Sequence, residues 1–273
     1  MELMADGVRY HIEVTGEEAR PVLVLLHGFT GSTATWKMAI ENWRDYRIVA
    51  IDLIGHGQTE SPPDESRYTM ERQLDDLDFI FKAMKLEKFN LLGYSMGGRT
   101  ALAYACEFPD RIDRLVLESA SPGLKSEGAR EERRDRDAQL ATNIVDGGLE
   151  QFVEKWENIP LFDSQKSLPE SVRKQVKQER LAQSAVGLAN SLKSMGTGSQ
   201  RSYWNCLSEL EMPVLLITGE LDPKFCAIAR EMQELLPNAE HCIISAGHAI
   251  HVEKPAEFAT MVMERLNGIN EED

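Results

Sequence analysis

Apolar residues cluster in short, almost unbroken runs at Val22–Leu26, Ile48–Leu53, Phe89–Leu92, Leu115–Glu118 and Val214–Thr218, with a last one near Cys242–Ser245. Runs of this kind suit strands covered on both faces, as in a parallel sheet. Val8–Val14 behaves differently: Val8, Tyr10, Ile12 and Val14 alternate with polar residues, which predicts an edge strand or hairpin arm. Between the runs lie helical patterns. Leu74, Leu77, Phe81 and Met84 are spaced by 3, 4 and 3, and Ala101, Leu102 and Ala105 continue a helix that begins after Ser95. Strands alternating with amphipathic helices predict an α/β fold with a mostly parallel, doubly wound sheet.

The alternation stops after Ser121-Pro122-Gly123. From 124 to 210 there is no buried-strand pattern, only charged amphipathic helices at Glu131–Val145, Leu149–Trp156 and Pro169–Leu192, before Met212-Pro213-Val214 resumes the sheet. The expected organisation is a core of residues 1–123 and 211–273 with an all-helical cap inserted at 124–210. An insertion at the C-terminal edge of such a sheet lies over the ligand crevice and serves as a lid.

One stretch between strand and helix carries chemistry. Gly93-Tyr94-Ser95-Met96-Gly97 is a G-x-S-x-G sequence. In a strand–turn–helix context the sharp turn strains the serine and exposes its hydroxyl at the sheet's C-terminal edge. The pattern alone is weak, so the rest of the chain has to supply an acid, a base and an anion hole. Asp222 follows the Val214–Thr218 run, with Glu220 as a rival. His248 follows the Cys242–Ser245 run in Ser245-Ala246-Gly247-His248. The chain order Ser, Asp, His is the one this architecture requires. His251 is the nearest competitor as base; Gly247 favours His248, and His251 is expected to pack at the start of the last helix. His11, His27, His56 and His241 are worse placed. Backbone N–H groups of Met96, after the nucleophile, and Phe29, after His27-Gly28, are positioned to form an anion hole. With the glycine-punctuated loop Asp52-Leu53-Ile54-Gly55-His56-Gly57, these residues point to an α/β-hydrolase fold.

Composition narrows the partners. The 273 residues carry 30 Lys+Arg against 45 Asp+Glu, a net charge of −15, which repels nucleic acid as a whole. A small anionic substrate is still compatible, because a local arginine cluster acts within a Debye length of about 8–10 Å. Cys106, Cys206, Cys226 and Cys242 are scattered, with no metal-ligand spacing, and are expected to be reduced thiols of a cytoplasmic protein. No export signal or membrane-length apolar run is visible, nor a metal or dinucleotide site, so no cofactor and no membrane partner are expected. The expected state is a monomer or weak homo-oligomer.

Over essentially its whole length the sequence resembles the α/β-hydrolase superfamily, and within it the 2-succinyl-6-hydroxy-2,4-cyclohexadiene-1-carboxylate synthases of menaquinone biosynthesis. The resemblance rests on Leu26–Ser32 with Trp36, Gly93–Arg99, the Arg133–Ala141 segment (R-x-x-x-D-x-x-x-A) and Trp156 with Pro160-Leu161-Phe162. Gly196–Gln200 with Trp204 adds to it. It implies a lyase that removes a ring proton beside a succinyl ketone and expels pyruvate, consuming no water. It also implies a small polycarboxylate substrate bound by Tyr94, Arg99, Arg133, Trp156 and Arg180. Arg134 is an open alternative to Arg133, since 130–137 also has the look of a solvated helix face. Two positions depart from the pattern: Ile54 stands where relatives commonly have proline, and Arg201 follows Gly-Ser-Gln where proline is frequent, adding charge near the cap's exit.

Two other readings use the same scaffold. A carboxylesterase or carbon–carbon bond hydrolase would use Ser95 as a covalent nucleophile in a mainly apolar pocket, which the arginines argue against. A ligand receptor without turnover would not need Ser95, Asp222 and His248 together. A haloalkane dehalogenase is disfavoured because its elbow carries aspartate.

Overall fold

A computed structural model describes residues 1–268. The strands are β1 (Glu2–Ala5), β2 (Val8–Thr15), β3 (Val22–Leu26), β4 (Arg47–Ile51), β5 (Phe89–Tyr94), β6 (Ile112–Glu118), β7 (Val214–Gly219) and β8 (Ala239–Ile244). They form one sheet in the order β1-β2-β4-β3-β5-β6-β7-β8. β1–β2 and β2–β4 pair antiparallel and every later pair is parallel. The helices are α1 (Lys37–Ile40), α2 (Met70–Ala83), α3 (Met96–Glu107), α4 (Glu127–Gly147), α5 (Leu149–Trp156), α6 (Glu170–Leu181), α7 (Ala185–Met195), α8 (Pro223–Leu235), α9 (Ile250–Glu253) and α10 (Pro255–Leu266).

The continuous apolar runs have a direct structural reason. In β3, Val24 and Leu26 join the core on one side of the sheet, while Leu23 and Leu25 join the core on the other; Val49 and Ile51 against Ile48 and Ala50 repeat the division in β4. A two-residue side-chain period with both faces covered leaves no polar position. One side is packed by α2, α3 and α8, the other by α9, α10 and the segment around Trp36 and Trp43. The hairpin partner β1 was not predicted, because its four residues are mostly solvent-facing and carry no buried alternation.

Residues 124–210 contain α4 to α7 and tight helical turns at Pro160–Ser167 and Trp204–Glu209, with no strand. They have a small core of their own, in which Ala141 and Ile144, Phe152 and Val153, and Leu188, Ala189 and Leu192 pack together with Phe29 of the sheet edge against them. The single helix expected over Pro169–Leu192 is two. Ser184 caps the second by accepting the Gly187 N–H at 3.1 Å, and that capping geometry interrupts the first. Residues 269–273, the end of the stretch assigned to the core, lie outside the described residues. No helix among the described residues is long and apolar enough to cross a membrane.

Cys106 and Cys206 are joined in a disulfide, against the expectation of four reduced thiols; Cys226 and Cys242 are free. The end of α3 and the turn that leaves the helical insertion bring the two Cα atoms to 6.1 Å, a separation invisible to a chain in which they are 100 residues apart.

Candidate active site

Ser95 joins β5 to α3 with φ 50° and ψ −104°, a conformation that a side chain adopts only when its surroundings enforce it. The neighbouring backbone provides that enforcement: Ser95 donates its N–H to the Glu118 carbonyl at 2.9 Å, and Gly97 lies so close to the Leu26 carbonyl that a Cβ there would collide with it. The hydroxyl therefore stands clear at the C-terminal ends of the parallel strands. Met96 is the first residue of α3, so its N–H has no partner within the helix and, with the helix dipole, favours negative charge at this point.

Asp222 and His248 emerge at the same edge. Asp222 is the N-cap of α8, where Oδ1 accepts the Phe225 N–H at 3.2 Å and leaves Oδ2 for His248 Nδ1 at 2.7 Å. His248 Nε2 then meets Ser95 Oγ at 3.0 Å. Asp222 and His248 are both nearly buried, and Glu220, the rival acid, is exposed. His251, the rival base, is engaged elsewhere: it sits on α9 with Nδ1 2.8 Å from the buried Glu118 carboxylate and its ring edge-on to Tyr94 at 4.5 Å. That Glu118–His251 pair was not foreseen. Its signal was a glutamate closing an otherwise apolar strand.

The Phe29 turn is fixed from beneath. Buried His27 donates Nδ1–H to the Gly28 carbonyl at 2.8 Å and accepts the Leu53 N–H at Nε2, 3.0 Å away. Burial holds His27 down to about 4 and neighbouring His56 to about 3, so both rings are neutral. Asp52 binds the same loops together by accepting N–H groups of Thr33 at 2.6 Å and Gln58 at 2.8 Å.

Above the serine is a cavity of about 400 Å³ between sheet edge and helical insertion, lined by Ser95, His248, Phe29, Met96, Tyr94 and Trp156 among others. Arg99 and Arg133 reach the same cavity. Arg99 is held by the Met195 carbonyl at 2.9 Å and by Gln200. Burial first, then the nearby Arg133, lowers its pKa to about 10, which still leaves it charged at neutral pH. Arg133 donates Nε–H to Asp137 at 2.8 Å. The open choice in that helix is resolved by packing: Arg134 turns away to the Gly198 carbonyl and Glu127. Buried Asp137 was missed, although the i, i+4 spacing to Arg133 was its signal, and Oδ2 of Asp137 has no partner among the described residues. Trp156 stacks on Phe152 at 5.5 Å, and its Nε1–H is likewise buried and unpartnered, a donor available to a ligand. Lys224, next to Asp222, and Arg136 also line the cavity and were not singled out in the sequence.

Two expectations differ from the structure. Arg180 does not line this cavity; α6 places it, nearly buried, over the ring of Phe162 at 4.7 Å, where it lines an outer hollow and a small crevice shared with Phe29, Tyr94 and Phe162. Arg201 adds no free charge near the exit of the helical insertion, because it pairs with Glu107 and lies over Tyr203.

The model of the alpha/beta hydrolase fold matches residues 21–255. A Bacillus subtilis (strain 168) protein provisionally named 2-succinyl-6-hydroxy-2,4-cyclohexadiene-1-carboxylate synthase is 49% identical over 267 residues, 97% of either chain. The synthase of that name from Enterobacter sp. (strain 638) is 32% identical over 92% of this chain and 93% of its own. The solved structure of MenH from S. aureus superposes with a TM-score of 0.91 at 40% identity, covering 94% of this chain and 98% of that one. The chain thus belongs to the α/β-hydrolase fold family and, within it, to the 2-succinyl-6-hydroxy-2,4-cyclohexadiene-1-carboxylate synthases.

Proposed function

We propose that this enzyme acts in menaquinone biosynthesis as a lyase. It converts 2-succinyl-5-enolpyruvyl-6-hydroxy-3-cyclohexene-1-carboxylate to 2-succinyl-6-hydroxy-2,4-cyclohexadiene-1-carboxylate and pyruvate. The observation that carries the reading is the placement of Arg99 and Arg133 in one cavity with a hydrogen-bonded Ser95–His248–Asp222 chain. A bare triad fits many acyl-transfer enzymes; a triad beneath two arginines fits a substrate with several carboxylates.

In this reading Ser95 is a base and forms no acyl intermediate. His248, oriented by Asp222, accepts the Ser95 hydroxyl proton while Ser95 Oγ takes the ring proton beside the succinyl ketone. The negative charge that builds on the ketone oxygen is stabilised by the N–H groups of Phe29 and Met96 and by the N-terminus of α3. As the enolate collapses, the carbon–oxygen bond to the enolpyruvyl group breaks, its electrons leave with the pyruvate unit, and the proton held on His248 neutralises that leaving group. The ring keeps a conjugated diene, and no water is consumed. Arg99 and Arg133 clamp carboxylates, and Trp156 Nε1–H supplies a further donor.

Product analysis tests the reaction. Pyruvate and the conjugated diene should appear in equal amounts; pyruvate released with a ring product that keeps a hydroxyl group and has no diene would move the function to hydrolysis.

A further inference from the structure

A second cavity, of about 350 Å³, opens on the outer side of the helical insertion where the Pro160–Ser167 turn meets α6. Its lining includes Lys166, Arg173, Lys174, Lys177 and Arg180 against Glu157 and Glu170. In a chain of 45 acidic and 30 basic residues, that local balance is inverted. Lys166 pairs with Asp163 at 2.6 Å and Lys177 with Glu157 at 3.1 Å. Arg173, Lys174 and the nearly buried Arg180 have no ion-pair partner among the described residues. The hollow therefore holds unneutralised positive charge.

Phe162 is the wall shared with the catalytic cavity, since it lines both. Its ring meets His248 edge-on at 6.3 Å and Trp156 at 5.9 Å, and Arg180 lies over it at 4.7 Å. The basic hollow and the serine's cavity thus meet at Phe162.

We propose that this hollow is a capture site for the anionic substrate, whose carboxylate passes from Arg173 and Lys174 to Arg180 and, as Phe162 turns aside, into the catalytic cavity. The inference rests on the polycarboxylate reading above. Surface cations act over about 8 Å at physiological salt, and a cavity with an excess of one sign of charge raises the encounter rate of opposite charge, by about 10-fold or more where that sign dominates, an effect that salt removes.

The test uses Arg173→Glu and Lys174→Glu, with Lys88→Glu, an exposed lysine paired with Asp113, as the control for net charge. At low salt each cap reversal should lower kcat/KM for pyruvate release by about 5- to 10-fold, and the gap should close toward high salt. Arg173→Lys should restore wild-type behaviour, which simple misfolding would not allow. Calorimetric binding of citrate, a tricarboxylate needing no turnover, should weaken in parallel. Equal kcat/KM and equal citrate affinity in the cap variants and the Lys88→Glu control would remove the capture site. Weakened citrate binding in a protein whose wild type releases no pyruvate would keep the capture site and remove the reaction assignment.

Discussion

Ser95 is held at φ 50° to aim its hydroxyl at His248 Nε2, 3.0 Å away, and the residues around it are chosen for backbone proximity more than for side-chain packing. In the proposed reaction Arg99 is the matching case on the binding side, a buried cation fixed by the neutral acceptors Met195 and Gln200. Removing it should raise KM for the polycarboxylate about 10- to 100-fold, the worth of a buried charge-assisted hydrogen bond, while leaving the KM of a neutral ester little altered. An unchanged KM for the anionic substrate would contradict that role. Single residues were legible where strand ends dictate their position: Ser95, Asp222 and His248 each follow a buried run, so chain order alone groups them. Helix faces were less legible. Whether Arg133 or Arg134 points inward depends on which side of α4 meets α7, and Arg180 packs on the ring of Phe162, whose orientation no spacing encodes.

Elements were legible in proportion to how completely they are covered. β3, β5 and β7 are central strands with both faces packed and read as unbroken apolar runs. β1 is short and half-exposed, and the break between α6 and α7 depends on one serine cap, so neither is visible as periodicity. The Cys106–Cys206 bond is the strongest case of a feature set by tertiary structure, since it ties α3, the helix that follows Ser95, to the segment that returns to the sheet. It removes the cysteine-based argument for a reducing compartment. In the unreduced, denatured protein only Cys226 and Cys242 should titrate with a thiol reagent. Reduction or Cys106→Ser should lower unfolding stability by about 3–5 kcal/mol, as expected for a crosslink closing a loop of this length. Four titratable thiols without reductant would contradict the bond.

For the molecule as a whole, the acidic net charge and a locally basic cavity coexist because Arg99, Arg133, Arg136 and Lys224 line the space between sheet edge and helical insertion against the single carboxylate of Asp137. The same interface rests on neutral buried histidines, which sets a pH dependence. His27 and His56 titrate at about 4 and about 3 in the fold but near 6.5 when unfolded, so the unfolded chain binds more protons throughout that interval. Their contribution to stability is complete above pH 6.5 and is lost as pH falls toward 4 for His27 and toward 3 for His56, by up to about 3–5 kcal/mol each. The urea midpoint should drop between about pH 7 and pH 5, and His56→Gln should flatten that slope; an unaltered slope would exclude His56 as a source. The fold class and the joint presence of Ser95, Asp222 and His248 at one sheet edge could be read from order and spacing, whereas the basic cavity needed the three-dimensional meeting of α3, α4 and the loop after α7. The most direct test of the central claim is the rate of pyruvate release from the enolpyruvyl cyclohexene by wild type and Ser95→Ala, measured beside cleavage of a short-chain nitrophenyl ester. The wild type should release pyruvate fast, Ser95→Ala should be slower by at least about 1,000-fold, and ester cleavage should be feeble throughout. Pyruvate release that survives the loss of Ser95, or efficient ester cleavage with no pyruvate, would contradict that claim.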